Sequence, residues 1–175
     1  MVRRTQRTDA KGLRNFRCSA GVWYETEAER FIRGPLARRV ARGFSAWVVE
    51  RDGELAAVAA HDGQPHPDKS GTVITWLMVL AARVDEKAGP LAVVASLSLL
   101  LKALIADVQS SGRSPYWYVL VAAENEKMRR FCERSGFIAG PVPSNPRYLF
   151  YTARFDPAAD TVSASVAIKG QPGLG

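Results

Sequence analysis

At 175 residues, with 47% apolar and 23% charged side chains, the chain has the size and balance of one globular domain, which excludes a disordered or fibrous reading for most of it. Its two cysteines, Cys18 and Cys132, stand far apart with no Cys-x-x-Cys or Cys/His cluster. Neither a disulfide framework nor a metal site is expected, and a reducing cytoplasm fits best. The net charge of +7 is uneven: residues 1–20 hold six basic groups against Asp9 alone.

Residues 1–11 are charged, lack periodicity and have no apolar block behind them, which reads as a basic flexible arm and not a secretory leader. Leu13 to Cys18 is expected as a short first strand. Glu25 to Arg42 reads as helical, with Phe31, Ile32, Leu36 and Val40 on one side and Arg30, Arg33, Arg38, Arg39 and Arg42 on the other. Gly34-Pro35 is expected to split it into two helices. The basic arm and this arginine face form either an ordinary solvated surface or one that draws in an anionic partner, RNA or an acidic protein.

Phe44 to Glu50 and Glu54 to His61 are β-rich runs around Asp52-Gly53, a hairpin signal because that turn requires positive φ. A loop with Gly63, Pro65, Pro67 and Gly71 is expected next. Thr72 to Arg83 contains a nearly continuous apolar run, as in a strand buried on both faces. Leu91 to about Ser111 is a helix closed by Gly112, with Val94, Leu97, Leu101, Leu104 and Val108 at spacings of three and four. The apolar stretch Leu91 to Ile105 is shorter than the roughly 18–20 residues needed to cross a bilayer and contains Ser96, Ser98 and Lys102, so no membrane span is expected.

Tyr116 to Ala122 is a strand, Asn125 to Ser135 a short amphipathic helix ended by Gly136, and Arg147 to Arg154 the last strand. A flexible tail, 156–175, follows a single domain at 12–155, although Thr161 to Ile168 alternates weakly as an added strand would. The order β-αα-β-β-β-α-β-α-β predicts an α/β (α+β) fold, a mixed, mostly antiparallel sheet with helices on both faces.

The stretch Glu124-Asn-Glu-Lys-Met-Arg-Arg-Phe-Cys-Glu-Arg-Ser-Gly-Phe137 resembles the last conserved motif of the GNAT (general N-acetyltransferase) family. There an Asn opens the helix, apolar residues fall three and six later, a Tyr usually seven later, and Gly-Phe closes it. Asn125, Met128, Phe131, Gly136 and Phe137 match, while Cys132 stands where the Tyr is usual. Taken alone, the same residues also make an ordinary surface helix with an N-cap, a buried stripe and a C-cap. The resemblance covers residues 44–151.

A second segment resembles the family's pyrophosphate-binding turn, an Arg/Gln-x-x-Gly-x-Gly/Ala sequence opening the long helix after a Leu-x-Val-like strand end. Leu80-Ala81-Ala82 and Lys87-Ala88-Gly89-Pro90-Leu91-Ala92 stand at those places, with Lys87 for Arg/Gln, Pro90 at the usual Gly and Gly89 shifted by one. Pro90 removes one N–H donor, whereas Ala88, Gly89, Leu91 and Ala92 retain theirs.

The resemblance implies acetyl-coenzyme A as acyl donor, held by Leu80, Ala81, Ala82, Lys87, Ala88, Gly89, Leu91, Ala92 and Asn125, with a primary amine on a small molecule or macromolecule as acceptor. It implies Cys132 at the general-acid position, although a small apolar role in the core suits that residue as well. Glu50, His61, Asp62 and His66 are the nearest candidate bases, and none is assigned. Three alternatives remain open: a GNAT-like module without catalysis, a toxin-type enzyme acting on aminoacyl-tRNA, and a nucleic-acid-binding domain of the same architecture. A homodimer is expected by family analogy.

Overall fold

A computed structural model describes residues 1–18, 23–66, 69–83, 89–141 and 146–156. Seven strands form one sheet in the order β1-β2-β3-β4-β5-β7-β6. These are β1 (Val2–Arg4), β2 (Trp47–Arg51), β3 (Glu54–His66), β4 (Lys69–Ala82), β5 (Tyr116–Ala122), β6 (Ile138–Pro141) and β7 (Tyr148–Arg154). All neighbours are antiparallel except β4 and β5. One face is covered by α1 (Asp9–Arg14), α2 (Trp23–Phe31), a π turn (Ile32–Leu36) and α3 (Ala37–Ala41), whose Leu13, Ile32, Leu36 and Val40 share a core with Val48, Val58 and Val79. On the other, α4 (Gly89–Ser110) and α5 (Glu126–Arg134) bury Leu100, Leu104 and Cys132 with Leu77, Trp117 and Tyr151. The mixed fold read from the element order is thus observed.

The hairpin forms where Asp52-Gly53 predicts it. Asp52 and Gly53 take φ of 52° and 76°, the left-handed pair that joins two twisted strands. The end of strand β4 from Leu77 to Ala82 packs into both cores, as its apolar run implies, with Leu77 and Leu80 toward α4 and Val79 and Ala81 toward α3, while Val73 nearer its start is exposed.

Four expectations are corrected. Residues 2–4 are not a free arm but edge strand β1, with Val2 opposite Val49 and Arg4 opposite Trp47. Its anchor is Arg3, whose guanidinium donates to Asp9 Oδ2 at 2.7 Å and to Glu50 Oε2 at 2.9 Å. Leu13 to Cys18 is not a strand, because the chain is helical through Arg14. Gly34-Pro35 does not break the helix: a π turn passes through it, a wider turn that absorbs the N–H missing at Pro35. Gly63 and Pro65 do not form a loop, because β3 continues to His66 opposite β4. A Cβ on Gly63 would meet Val73 Cγ1 at 3.2 Å, so the glycine serves a close cross-strand approach there. Short strand β6 was not expected at all. The possible strand at 161–168 and the rest of the tail beyond Asp156 lie outside the described residues.

Helix α4 spans 22 residues, long and apolar enough to cross a membrane by length and composition, so the expected shortfall does not hold for the whole helix. In this fold its inner stripe, Leu97, Leu100, Leu101, Leu104 and Val108, is buried on the sheet. Replacing Leu104 by Ala should cost roughly 2–5 kcal/mol, measurable by chemical denaturation.

The Arg3 guanidinium holds the Asp9 carboxyl below its usual range. A depressed carboxylate adds stability above its unfolded pKa, about 3.9, and loses it as pH falls below that. Asp9→Asn should therefore lower the melting temperature at pH 7, with the gap to wild type narrowing as pH falls through about 4 and below.

Candidate active site

Strand β4 carries one residue more than β3 needs. Ala60 pairs with Val79 and His61 with Leu77, so Met78 is left as a bulge. A bulge bends its strand and sharpens its twist. It also resets the side-chain alternation, which is why Leu77 and Leu80, three apart, face the same core. The β4–β5 ladder stops beside it: Thr75 pairs with Trp117 and Trp76 with Tyr118, and there the pairing ends. Up to that point the strands are pinned, with the Trp76 and Tyr118 rings stacked at 6.3 Å and the Thr75 hydroxyl donating to Ser114 O at 3.0 Å. Beyond it, residues 77–82 of β4 and 119–122 of β5 diverge without ladder bonds to each other.

The opening holds a cavity of about 340 Å³. Its walls are Leu77 to Leu80 of β4 and Val119 to Ala122 of β5, closed by Leu101 of α4, by Asn125, Met128, Phe131 and Cys132 around α5, and by Phe137. At the α2 side stand Glu27, Ala28 and Phe31, with Tyr148 of β7 opposite. The walls are mostly apolar with a few polar groups converging, as in small-molecule sites generally.

Asn125 caps α5, its Oδ1 accepting from Met128 N–H at 3.1 Å. At the other end Phe137 N–H bonds Cys132 O and Gly136 N–H bonds Glu133 O, satisfying the last carbonyls. The helix predicted at this register is therefore present, and it turns Cys132 inward, 2% exposed. Burial pushes the Cys132 thiol up to about 12. A thiol so shifted is a poor proton donor to a departing thiolate whose own pKa is near the ordinary 8.5.

The expected site residues divide into three groups. Leu80, Asn125 and Cys132 line the cavity. Ala81, Ala82, Gly89, Leu91 and Ala92 do not line it, although Ala81 and Ala82 continue the diverging edge of β4. Lys87 and Ala88 lie outside the described residues. Helix α4 begins at Gly89, two residues before the expected start, so Gly89 to Ala92 form its first turn. Gly89 has φ of +71° with open space around its Cβ position, and Leu91 is 84% exposed. First-turn N–H groups lack helical partners, so this end of α4 faces outward with donors and a positive dipole end.

The candidate bases are elsewhere. Glu50 binds Arg3, Asp62 binds Arg39 at 2.9 Å, and buried His61 lies 3.3 Å from Asp107. The side chain of His66 lies outside the described residues. The polar pair that does face the cavity is Glu27 and Tyr148, with the Tyr148 hydroxyl donating to Glu27 Oε2 at 2.8 Å and its pKa raised chiefly by that bond. Neither was singled out from the sequence. They are 121 residues apart, and nothing local joins them.

Solved acetyltransferases share this fold along nearly their whole length. The aminoglycoside 6′-acetyltransferase type Ii superposes with a TM-score of 0.62 at 13% identity, covering 91% of this chain and 99% of that one. The chain has the GNAT fold. A GNAT-family acetyltransferase from Desulfovibrio desulfuricans gives 0.60 at 20% identity over 88% and 98% of the two chains. A mutant of the toxin AtaT, bound to the C-terminus of the antitoxin AtaR and to acetyl-coenzyme A, gives 0.57 at 18% over 87% and 92%. No family model and no curated protein matches the sequence.

Removing the cap of α5 tests how far this wall of the cavity depends on one side chain. Asn125→Ala should cost about 1 kcal/mol, read as a shifted denaturation midpoint with an unchanged slope.

Proposed function

We propose that the protein is an N-acetyltransferase that moves an acetyl group from acetyl-coenzyme A to a primary amine. The observation that carries this reading is the parting of β4 from β5 beyond Met78, which leaves a strand edge bare beside an apolar cavity. An extended molecule that alternates amide groups with short alkyl segments, as pantetheine does, fits such an edge, because each amide finds a backbone partner. The first turn of α4, with Lys87 and Ala88 before it, suits a diphosphate in charge and in donors, with Pro90 lacking one donor.

The reaction this supports is direct acyl transfer. A neutral amine attacks the thioester carbonyl, a C–N bond forms as the C–S bond breaks, and the nitrogen sheds a proton while the thiolate takes one. A backbone N–H near Leu80 would stabilise the carbonyl oxygen as negative charge develops, and alignment of the two reactants supplies much of the rate. Glu27 would hold the incoming ammonium and receive its proton, directly or through water, and Tyr148 would orient that carboxylate. Cys132 serves as an apolar wall, and the thiolate takes its proton from water.

Acetyl-coenzyme A should raise the melting temperature with a dose dependence. Thiol release with candidate amines should fall at least tenfold in Glu27→Gln and stay within twofold in Cys132→Ala. A large loss in Cys132→Ala would restore that thiol as the acid. A second reading, a GNAT-fold module that binds the coenzyme without transfer, is motivated by Pro90 and the buried thiol. It predicts the thermal shift with no thiol release from any amine.

A further inference from the structure

The helical layer of α1, the π turn and α3 buries Ala10, Leu13, Ile32, Leu36, Ala37 and Val40 against the sheet, so its remaining side chains point outward. Among the described residues Arg7, Lys11, Arg14, Arg30, Arg38 and Arg42 are exposed on this layer and its connections, and no ion pair involves them. Among the described residues, the neighbouring acids Asp9 and Glu29 are paired with Arg3 and with Arg17 and Arg33, while Glu27 bonds the neutral Tyr148 hydroxyl and keeps its charge toward the cavity. The cations are held in one surface, since Arg33 of the π turn donates to Arg14 O of α1 at 2.9 Å and the Arg7 guanidinium lies against Gly43 after α3. Six exposed cations without an ion pair among the described residues give this layer a net positive surface, which draws in anions.

We infer that this surface docks RNA through its phosphodiester backbone. Arginine provides five of the six cations, and its planar fork matches phosphate oxygens in pairs. The choice of RNA over DNA rests on the proposed acyltransfer, because RNA alone carries aliphatic amines, as aminoacyl esters at its 3′ end. The same layer contributes Glu27, Ala28 and Phe31 to the cavity, so a strand end leaving this surface has an amine site beside it.

The test is fluorescence anisotropy with a labelled RNA hairpin and no coenzyme, as a function of salt. Six phosphate contacts predict a slope of log K against log salt near −5, about a thousandfold weakening between 50 and 200 mM. Combining Arg7→Gln, Arg14→Gln, Arg38→Gln and Arg42→Gln should bring the slope to about −2. The pair Arg38→Gln and Arg42→Gln alone should change it by about 2, which serves if the fourfold variant does not fold. Unlabelled RNA should displace the probe at lower concentration than DNA of the same length or polyglutamate.

The inference is overturned if wild type does not bind at 50 mM salt, if the variants bind as wild type does, or if DNA or polyglutamate competes better. None of these arginines lines the cavity, so stabilisation by acetyl-coenzyme A should persist in every variant. Its absence from wild type would sink the acyltransferase reading while leaving the backbone-binding result to stand or fall on its own.

Discussion

One inserted residue in the central strand governs the functional end of this molecule. Met78 has no partner on β3, and the extra length turns β4 away from β5 immediately after their two paired positions. The bulge also moves Leu80 onto the α4 side and Val79 onto the α3 side, so both cores remain filled through the bend. Arg39 helps hold it in place, with its guanidinium 3.6 Å from Met78 sulfur, 2.9 Å from Asp62 and over the Phe44 ring at 4.0 Å.

The two helical layers then divide the work. On the α4 and α5 side, close packing of leucines, Cys132 and Phe137 provides an apolar wall whose one titratable thiol is kept neutral by burial. On the α1 to α3 side, the inner faces are equally apolar but the outer faces are arginine-rich, and the polar group offered to the cavity, Glu27, comes from this layer. This layer therefore sets a cationic exterior beside the acidic Glu27 at the cavity.

The N-terminal segment shows how distant partners overrule local character. Val2 to Arg4 has nothing in its sequence to mark a strand, yet it completes the sheet edge because β2 presents an open ladder and because Asp9 and Glu50 bracket Arg3. The same holds at Gly63 and Pro65, where the facing strand supplies the pairing that turn-forming residues would not seek for themselves.

Much was legible from the residues alone, wherever the signal is local. Apolar spacing in α4, the Asp52-Gly53 turn, the doubly buried run of β4 and the capped helix opening at Asn125 each depend on neighbours within a few positions, and each is found where expected. The position of Cys132 could be read in the same way, because helical register places it.

What only the tertiary structure decided is everything that depends on two segments meeting: the bulge at Met78, the pairing of Glu27 with Tyr148, the burial that raises the pKa of the Cys132 thiol, and the engagement of Asp9 and Glu29 by Arg3, Arg17 and Arg33. Strand register and charge pairing are relations between distant parts of the chain, and no periodicity or short motif records them.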